Sequence, residues 1–507
     1  MASCGGTCDF NCGSKEVEEE TRERVGRISL AAASAAANAA RCSKCGDGDA
    51  REGCNGACTA CFRAYLFGKF KLAVTSNAMI APTDNLLVAF SGGPASRVAL
   101  QFIHEMQSKL VKSWDASNSQ ALPVFGVGVA FIDESIFSLK QSHEIEKAIE
   151  NVQLIVSSIS SVYKGIHIKP IENICSSDSK DGRSRLSELL DMITDNTGKE
   201  DFLQYLRMLS LQKIALENGY SKLILGSCTS AIACHVISAT VKGQGYSLPA
   251  DVHYVDTRWE VPVVLPLRDC LAQELSLLCH LDSLKTQQLL DRPSAGINGL
   301  VSSFVTRLRE ENPSRERTIV RTAEKLKPFC FNKFSANGYH DFLPSRLRPK
   351  FQNADNSDSV LSEVLCPICG SPLSEIELHN MRSTEGEART RAEIFFTHCC
   401  QSCCFQILPN GAAAYEKFFS LLPQLMMRRV KDGMLANRSQ LSRLNCALIV
   451  CVLACFILVI FHPFLFLEKK SKITCLTTKM MIPDSIFMHR KTKRDKSMSW
   501  SSCCNTD

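Results

Sequence analysis

Runs of apolar and polar positions along this chain predict strands and helices in turn. Residues 86–90 are an unbroken apolar run, as expected of a parallel strand covered on both faces. A turn over residues 91–96 breaks it, and Val98, Leu100, Phe102 and Ile103 then mark an apolar helical segment. Residues 122–133 predict a second strand, 145–162 a helix and 166–169 a short third strand, in which His167 has a structural place. Residues 176–185, rich in Ser, Asp and Lys, read as a surface loop. Residues 202–218 carry Leu203, Leu206, Leu209, Ile214 and Leu216 on a helix face, with Gly219 as its cap. Residues 222–226 predict a fourth strand, 227–235 a loop and helix, and 259–267 a fifth strand. Such alternation implies βαβ units, a parallel sheet and a ligand crevice at the strands' carboxyl ends.

Two loops follow such ends, residues 91–96 and 226–230. In the first, glycines allow close backbone approach and the following helix dipole favours negative charge, so Ser91, Gly92, Gly93 and Ser96 form a nucleotide-loop-like stretch. Its spelling, Ser-Gly-Gly-x-x-Ser after a strand, resembles the pyrophosphate loop of the PP-loop ATP pyrophosphatases, where Ser-Gly-Gly-x-Asp-Ser cradles the pyrophosphate end of ATP. Ala95 stands at the carboxylate position. A carboxylate beside three phosphates is useful where it handles magnesium, so its loss removes chemistry rather than shape. A strand-to-helix turn without a ligand has the same outline.

Cysteine usage changes the picture most. There are 26 cysteines among 507 residues, and the Cys-rich, acidic start does not read as a signal peptide, so metal or sulfur chemistry is favoured over a disulfide framework. Cys42-Ser-Lys-Cys45 and Cys58-Thr-Ala-Cys61 stand twelve residues apart; Cys366-Pro-Ile-Cys369 and Cys400-Gln-Ser-Cys403 stand thirty apart. Each Cys-x-x-Cys can hold one side of a tetrahedral zinc, and two close a structural site without an open position. Cys54 is an alternative ligand in the first set, and His398, Cys399 and Cys404 in the second. Cys4, Cys8 and Cys12 lack a fourth partner nearby and read as metal-free. The expected organisation is a flexible leader (1–40), an N-terminal zinc module (41–64), an α/β domain (80–350), a C-terminal zinc ribbon (363–425) and an atypical tail (440–507).

The formal charge is +6, but nine Lys or Arg against four Asp or Glu lie beyond Leu467, which leaves residues 1–467 near +1. RNA binding by the body therefore needs a local patch rather than a global field. Residues 296–350 offer one, with Arg307, Arg309, Arg315, Arg317, Arg321, Lys325, Lys327, Arg346, Arg348 and Lys350 interleaved with Phe304, Phe329, Phe331 and Phe334. Bases stack on aromatics while cations hold phosphates. A solvated helix surface balanced by Glu310, Glu311 and Glu316 is the alternative. Residues 446–467 are almost wholly apolar, long enough for a membrane-spanning helix, and basic on both flanks.

The paired cysteines, Ser91-Gly-Gly-Pro-Ala-Ser96, Leu225-Gly-Ser-Cys-Thr-Ser230, Val241-Lys-Gly-Gln-Gly-Tyr-Ser-Leu-Pro249, Pro266-Leu-Arg-Asp269 and Cys366-Pro-Ile-Cys369 with Cys400 and Cys403 together resemble the cytoplasmic tRNA 2-thiolation protein 2 family, over residues 42–440. The resemblance implies an α/β, parallel-sheet PP-loop domain (adenine nucleotide alpha-hydrolase-like) flanked by two small Cys-rich zinc modules. It implies a cytoplasmic heterodimer with a catalytic PP-loop paralogue, cytoplasmic tRNA 2-thiolation protein 1. The implied product is 2-thiouridine at the wobble position (as mcm5s2U) of cytosolic tRNAs for Lys, Glu and Gln. In active relatives ATP adenylates the uridine oxygen and sulfur displaces AMP, the sulfur coming from a ubiquitin-related modifier with a C-terminal thiocarboxylate.

Residue by residue, the chain departs from that active pattern. Ala95 replaces an Asp, and Cys228, Thr229, Ser230 and Ala231 replace an Asn-x-Asp-Asp segment. The active pattern's Cys-x-x-Cys before the helix carrying Arg207 has no counterpart, since no cysteine lies between Cys175 and Cys228. Cys228 and Cys234 remain as candidate sulfur-handling thiols, or as small packing residues. The expectation is a catalytically degenerate subunit that supports tRNA binding and a partner's ATP-using site. Two alternatives stay open: a self-sufficient PP-loop sulfurtransferase or ATP-dependent ligase using Cys228, and a membrane-anchored zinc protein with no RNA role. The family carries no span like 446–467, so the tail is expected to be a variant transcript end on a cytoplasmic protein.

Overall fold

The computed structural model describes residues 41–116, 124–138, 140–159, 163–176, 178–287, 296–327, 329, 364–383 and 390–429. Strands β1 (Asn85–Ala89), β2 (Gly126–Asp133), β3 (Tyr163–Pro170), β4 (Lys222–Ile224), β5 (Val255–Asp256) and β6 (Val263–Val264) form one sheet in the order β3-β2-β1-β4-β6-β5. Every neighbouring pair is parallel except β5 and β6. Helices α1 (Thr59–Ser76), α2 (Pro94–Ala116), α3 (Ser142–Ser157), α4 (Ser179–Met192), α5 (Asn196–Glu217) and α6 (Thr229–Val241) come before β5, and α7 (Ala272–Leu281), α8 (Gly296–Glu311) and α9 (Ser314–Ala323) follow β6.

The apolar run at β1 behaves as a doubly covered strand should. Leu86 and Val88 pack into one buried cluster with Phe62 and Phe70 of α1 and Val98 and Phe102 of α2. Leu87 points to the opposite cluster, with Leu211 and Ile214 of α5, Ile232 of α6 and Val305 of α8. From β1 the sheet runs to β2 and β3 on one side and to β4 on the other. The loops after β1 and β4 therefore meet where the winding reverses, the usual ligand crevice of an open α/β sheet.

A third cluster joins α4 and α5 to the C-terminal elements α10 (Glu375–Ser383), α11 (Arg391–Thr397), α12 (Gln401–Gln406) and α13 (Ala412–Leu421). The rings of Phe202 and Phe418 lie 6.1 Å apart across this junction. A Cβ added at Gly198 would lie only 1.9 Å from the Gln406 carbonyl oxygen, so glycine permits the contact between α5 and α12.

Several expectations need correction. Residues 179–185 belong to α4 rather than to a surface loop. Asp178 caps that helix by accepting from the Lys180 N–H (3.0 Å), and its buried apolar side chains, Leu186 and Leu189, come later in the segment. The fifth strand shrinks to β6, because residues 257–262 turn to bring β5 against it in antiparallel register. His167 bonds the Tyr220 hydroxyl (2.9 Å), the structural role expected of it. Among the described residues no helix is long and apolar enough to cross a membrane. The span 446–467 lies outside the described residues, as do Cys4, Cys8, Cys12, Phe331, Phe334, Arg346, Arg348 and Lys350.

Candidate functional site

The loop after β1 has the outline of a phosphate loop, and its two serines bond each other. Gly92 adopts φ +81°, which a glycine reaches without strain. The Ser91 backbone N–H donates to Ser96 Oγ (3.2 Å), the Ser91 hydroxyl donates to the same atom (3.1 Å), and Ser96 Oγ donates to the Gly93 carbonyl (3.0 Å). Gly92, Gly93 and Ser96 are buried. Gln287 reaches this loop, its N–H donating to the Gly92 carbonyl (3.0 Å), while the Asn151 amide donates to Gln287 Oε1 (3.1 Å). From the other side, a Cβ at Gly226 would lie 2.7 Å from Ser96 N, so the two crevice loops are in contact.

The hydroxyls of the second loop are taken up in internal hydrogen bonds. Thr229 Oγ1 donates to the Arg268 carbonyl (2.6 Å), and Ser230 Oγ donates to Glu316 Oε2 (2.7 Å). Glu316 is 1% exposed, although its place in a charged stretch suggested a surface carboxylate. Cys228 caps α6, and burial raises its thiol above the ordinary range; burial also pushes Cys234 up to about 11. Both are protonated thiols at neutral pH, a poor state for a nucleophile. Arg207 of α5 makes a two-pronged ion pair with Glu134.

The structure brings the expected cysteines together. Cys42, Cys45, Cys58 and Cys61 form one quartet, and Cys366, Cys369, Cys400 and Cys403 another, with all sulfurs of each within 4.8 Å of one another. The Cys45 and Cys58 sulfurs are 3.8 Å apart, and those of Cys369 and Cys400 3.7 Å. Four sulfurs around one ion at ~2.3 Å stand ~3.8 Å apart, so the spacing fits a single tetrahedral metal. The all-thiolate donor set leaves no position open for a substrate. Either quartet could bind a metal. Cys54, Cys399, Cys404 and His398 stand outside both; His398 Nδ1 instead pairs with the Ile394 carbonyl (2.7 Å).

Local backbone explains the convergence. Both sets begin with a Cys-x-x-Cys-Gly knuckle, in which Gly46 (φ +76°) and Gly370 (φ +71°) turn the chain back and donate to the carbonyls of Cys42 (2.9 Å) and Cys366 (2.8 Å). Both end at a helix start, with Cys58 at the N-cap of α1, where its sulfur accepts from the Cys61 N–H, and Cys400 at the N-cap of α12. Backbone N–H groups of Cys45 and Cys58 lower the Cys42 thiol to about 6. Burial would raise Cys366, but hydrogen bonds from its sibling thiols hold it well below the ordinary range.

Three cations of the basic stretch sit in ion pairs. Arg309 lies 4.0 Å from Glu316, Arg317 is 2.9 Å from Glu274, and Arg315 pairs with Glu311. Arg307, Arg321 and Lys325 are exposed. Phe304 is 51% exposed, whereas Phe329 is buried with its ring 5.3 Å from that of Tyr246.

No family model matches the chain. A protein of Oryza sativa subsp. indica named cytoplasmic tRNA 2-thiolation protein 2 is 65% identical over 432 residues, which is 84% of this chain and 92% of that one. One of the same name from Arabidopsis thaliana is 52% identical over 386 residues, 76% and 84% of the two chains. Among solved structures, a U34-tRNA thiolase from Methanococcus maripaludis, described with its [4Fe-4S] cluster, is 17% identical, with a TM-score of 0.42 over 57% of this chain and 90% of that one.

Proposed function

Because the chain belongs to the cytoplasmic tRNA 2-thiolation protein 2 family, we propose that it is the supporting subunit of a cytoplasmic tRNA thiolase, paired with a catalytic PP-loop paralogue. In this reading the paralogue binds ATP and activates the wobble uridine of tRNAs for Lys, Glu and Gln. The sulfur arrives on a thiocarboxylated ubiquitin-related modifier. This chain contributes tRNA contacts and completes the partner's site. The observation that carries the division of labour is the second crevice loop, whose Thr229 and Ser230 hydroxyls are bound to Arg268 and Glu316 where an active subunit has acids. Ala95 supports it, since a loop without a carboxylate has lost a handle for magnesium.

Each quartet holds one structural zinc in this reading, favoured by four thiolates at single-ion spacing with no open position. Arg307, Arg321 and Lys325, with the exposed Phe304 on the same helix as Arg307, are the RNA contacts that the ion pairs leave available. A self-sufficient enzyme using Cys228 is disfavoured by the burial that keeps that thiol protonated.

The test is the wobble nucleoside itself. In cells lacking this chain, mass spectrometry of tRNA should find 2-thiouridine lost, and expression of the chain should restore it. Unchanged 2-thiouridine in such cells would contradict the proposal.

A further inference from the structure

One cavity in the α/β body has no part in the reading above. It measures about 260 Å³ and lies against the C-terminal cysteine knuckle, lined by Leu225 and Ser227 after β4, Val263 and Leu265 of the β6 region, and Cys369 and Ser371. Strand carboxyl ends are where open α/β sheets take ligands. Its volume falls just under the ~300–1,000 Å³ typical of drug-sized sites, which suits one small ring system.

The charges in its wall are already matched. Arg258 donates to Asp251 Oδ1 (2.6 Å), Asp256 Oδ2 (2.6 Å) and the Gly370 carbonyl (3.5 Å). Asp251 Oδ2 also pairs with His235 Nε2 and accepts from Ser247 Oγ, both at 2.9 Å. An entering phosphate or carboxylate would meet two carboxylates and a guanidinium already bonded to them. Tyr205 and Trp259 supply aromatic surface, with the Arg429 guanidinium 4.6 Å from the Trp259 ring centre. Ser227, Ser371, Gln204 and Gln244 add neutral donors and acceptors, and Gln244 is anchored through Ser402 Oγ (3.0 Å). Aromatic rings with neutral polar groups, and no uncommitted cation in the wall, match a flat, uncharged heterocycle rather than an anion.

We propose that this cavity receives a single unstacked nucleobase from an RNA loop, stacked against Trp259 or Tyr205 and read along its edge by the neutral side chains. The proposal rests on the reading that the chain binds tRNA. Unpaired loop bases are the ones proteins splay out and stack in this way.

Trp259 is one of three tryptophans, so full-length chain carrying Trp114→Phe and Trp500→Phe reports on it alone. Titration with an anticodon stem–loop RNA should quench its fluorescence saturably. Making each loop base abasic in turn should abolish the quench at one position. Ala231→Phe adds bulk from an exposed cavity-lining position on α6. It should weaken the intact stem–loop about tenfold, within what one stacked base contributes, and leave the abasic RNA's affinity unchanged. If the stem–loop binds by fluorescence anisotropy while Trp259 stays silent and Ala231→Phe has no effect, the cavity proposal is overturned and the tRNA reading stands. If uridine 5′-monophosphate quenches at the same concentration as the stem–loop, the site is for a free nucleotide and the proposal also fails. No RNA binding in either assay overturns both readings.

Discussion

The two cysteine quartets share a local design and differ in their surroundings. Each joins a knuckle with a left-handed glycine to the start of a helix. In the N-terminal quartet only Cys42 is buried, Cys45 lies in solvent, and Cys58 and Cys61 are half-buried. In the C-terminal quartet all four are buried, within the cluster that packs against α4 and α5. Ligand spacing sets the metal chemistry, and the surrounding apolar residues set how far the fold depends on it. The first module joins a core through Cys42 with Cys58 and Cys61 at its edge, whereas all four ligands of the second lie inside one.

The largest effect should separate them directly. Cys403→Ala should remove one equivalent of metal and cost about 3–5 kcal/mol, because it leaves unmatched thiolates in a buried site. Cys45→Ala should also release one equivalent but shift thermal unfolding by less than half as much. Metal analysis beside calorimetry reads both, and equal shifts would break the contrast. Next in size, Gly198→Ala sets a Cβ against the Gln406 carbonyl and should cost about 2–3 kcal/mol in denaturant titrations. Gly53→Ala at φ +77° meets only the end of the Leu277 side chain and should cost about 1 kcal/mol.

Asp251 provides a pH-dependent check on the wall between β5 and the C-terminal knuckle. Burial alone would raise its carboxyl, but Arg258 and then His235 reverse this and hold it well below the usual carboxylate range. A depressed folded pKa contributes stability above the unfolded value, lost as pH falls toward the folded one. Asp251→Asn should therefore destabilise by about 1–2 kcal/mol at neutral pH, with the difference narrowing below about pH 4. The smallest stability effect is expected from Arg307→Ala with Arg321→Ala. It should leave unfolding within about 0.5 kcal/mol while lowering the salt slope of tRNA binding by about one per charge removed.

Much of this was legible because it is local. The apolar run at β1, the glycines after it and four Cys-x-x-Cys hooks each announce themselves within a few residues. Helix α4 was missed because its first turns face solvent, so its apolar residues begin only at Leu186. The β5–β6 hairpin was missed because two-residue strands carry no periodicity. Glu316 read as a surface charge because what buries it comes from far along the chain: Ser230, which bonds it, lies 86 residues away. The contact of Gln287 with the Gly92 carbonyl was hidden for the same reason, since it comes from far along the chain.

The central claim is that the crevice keeps a nucleotide-loop shape without performing the reaction. The most direct measurement incubates metal-replete, full-length chain with ATP, magnesium, tRNA and a sulfide donor, and follows AMP release together with 2-thiouridine. The account predicts neither product from this chain alone, and both once the catalytic paralogue is added. AMP release and tRNA thiolation by the isolated chain would contradict it.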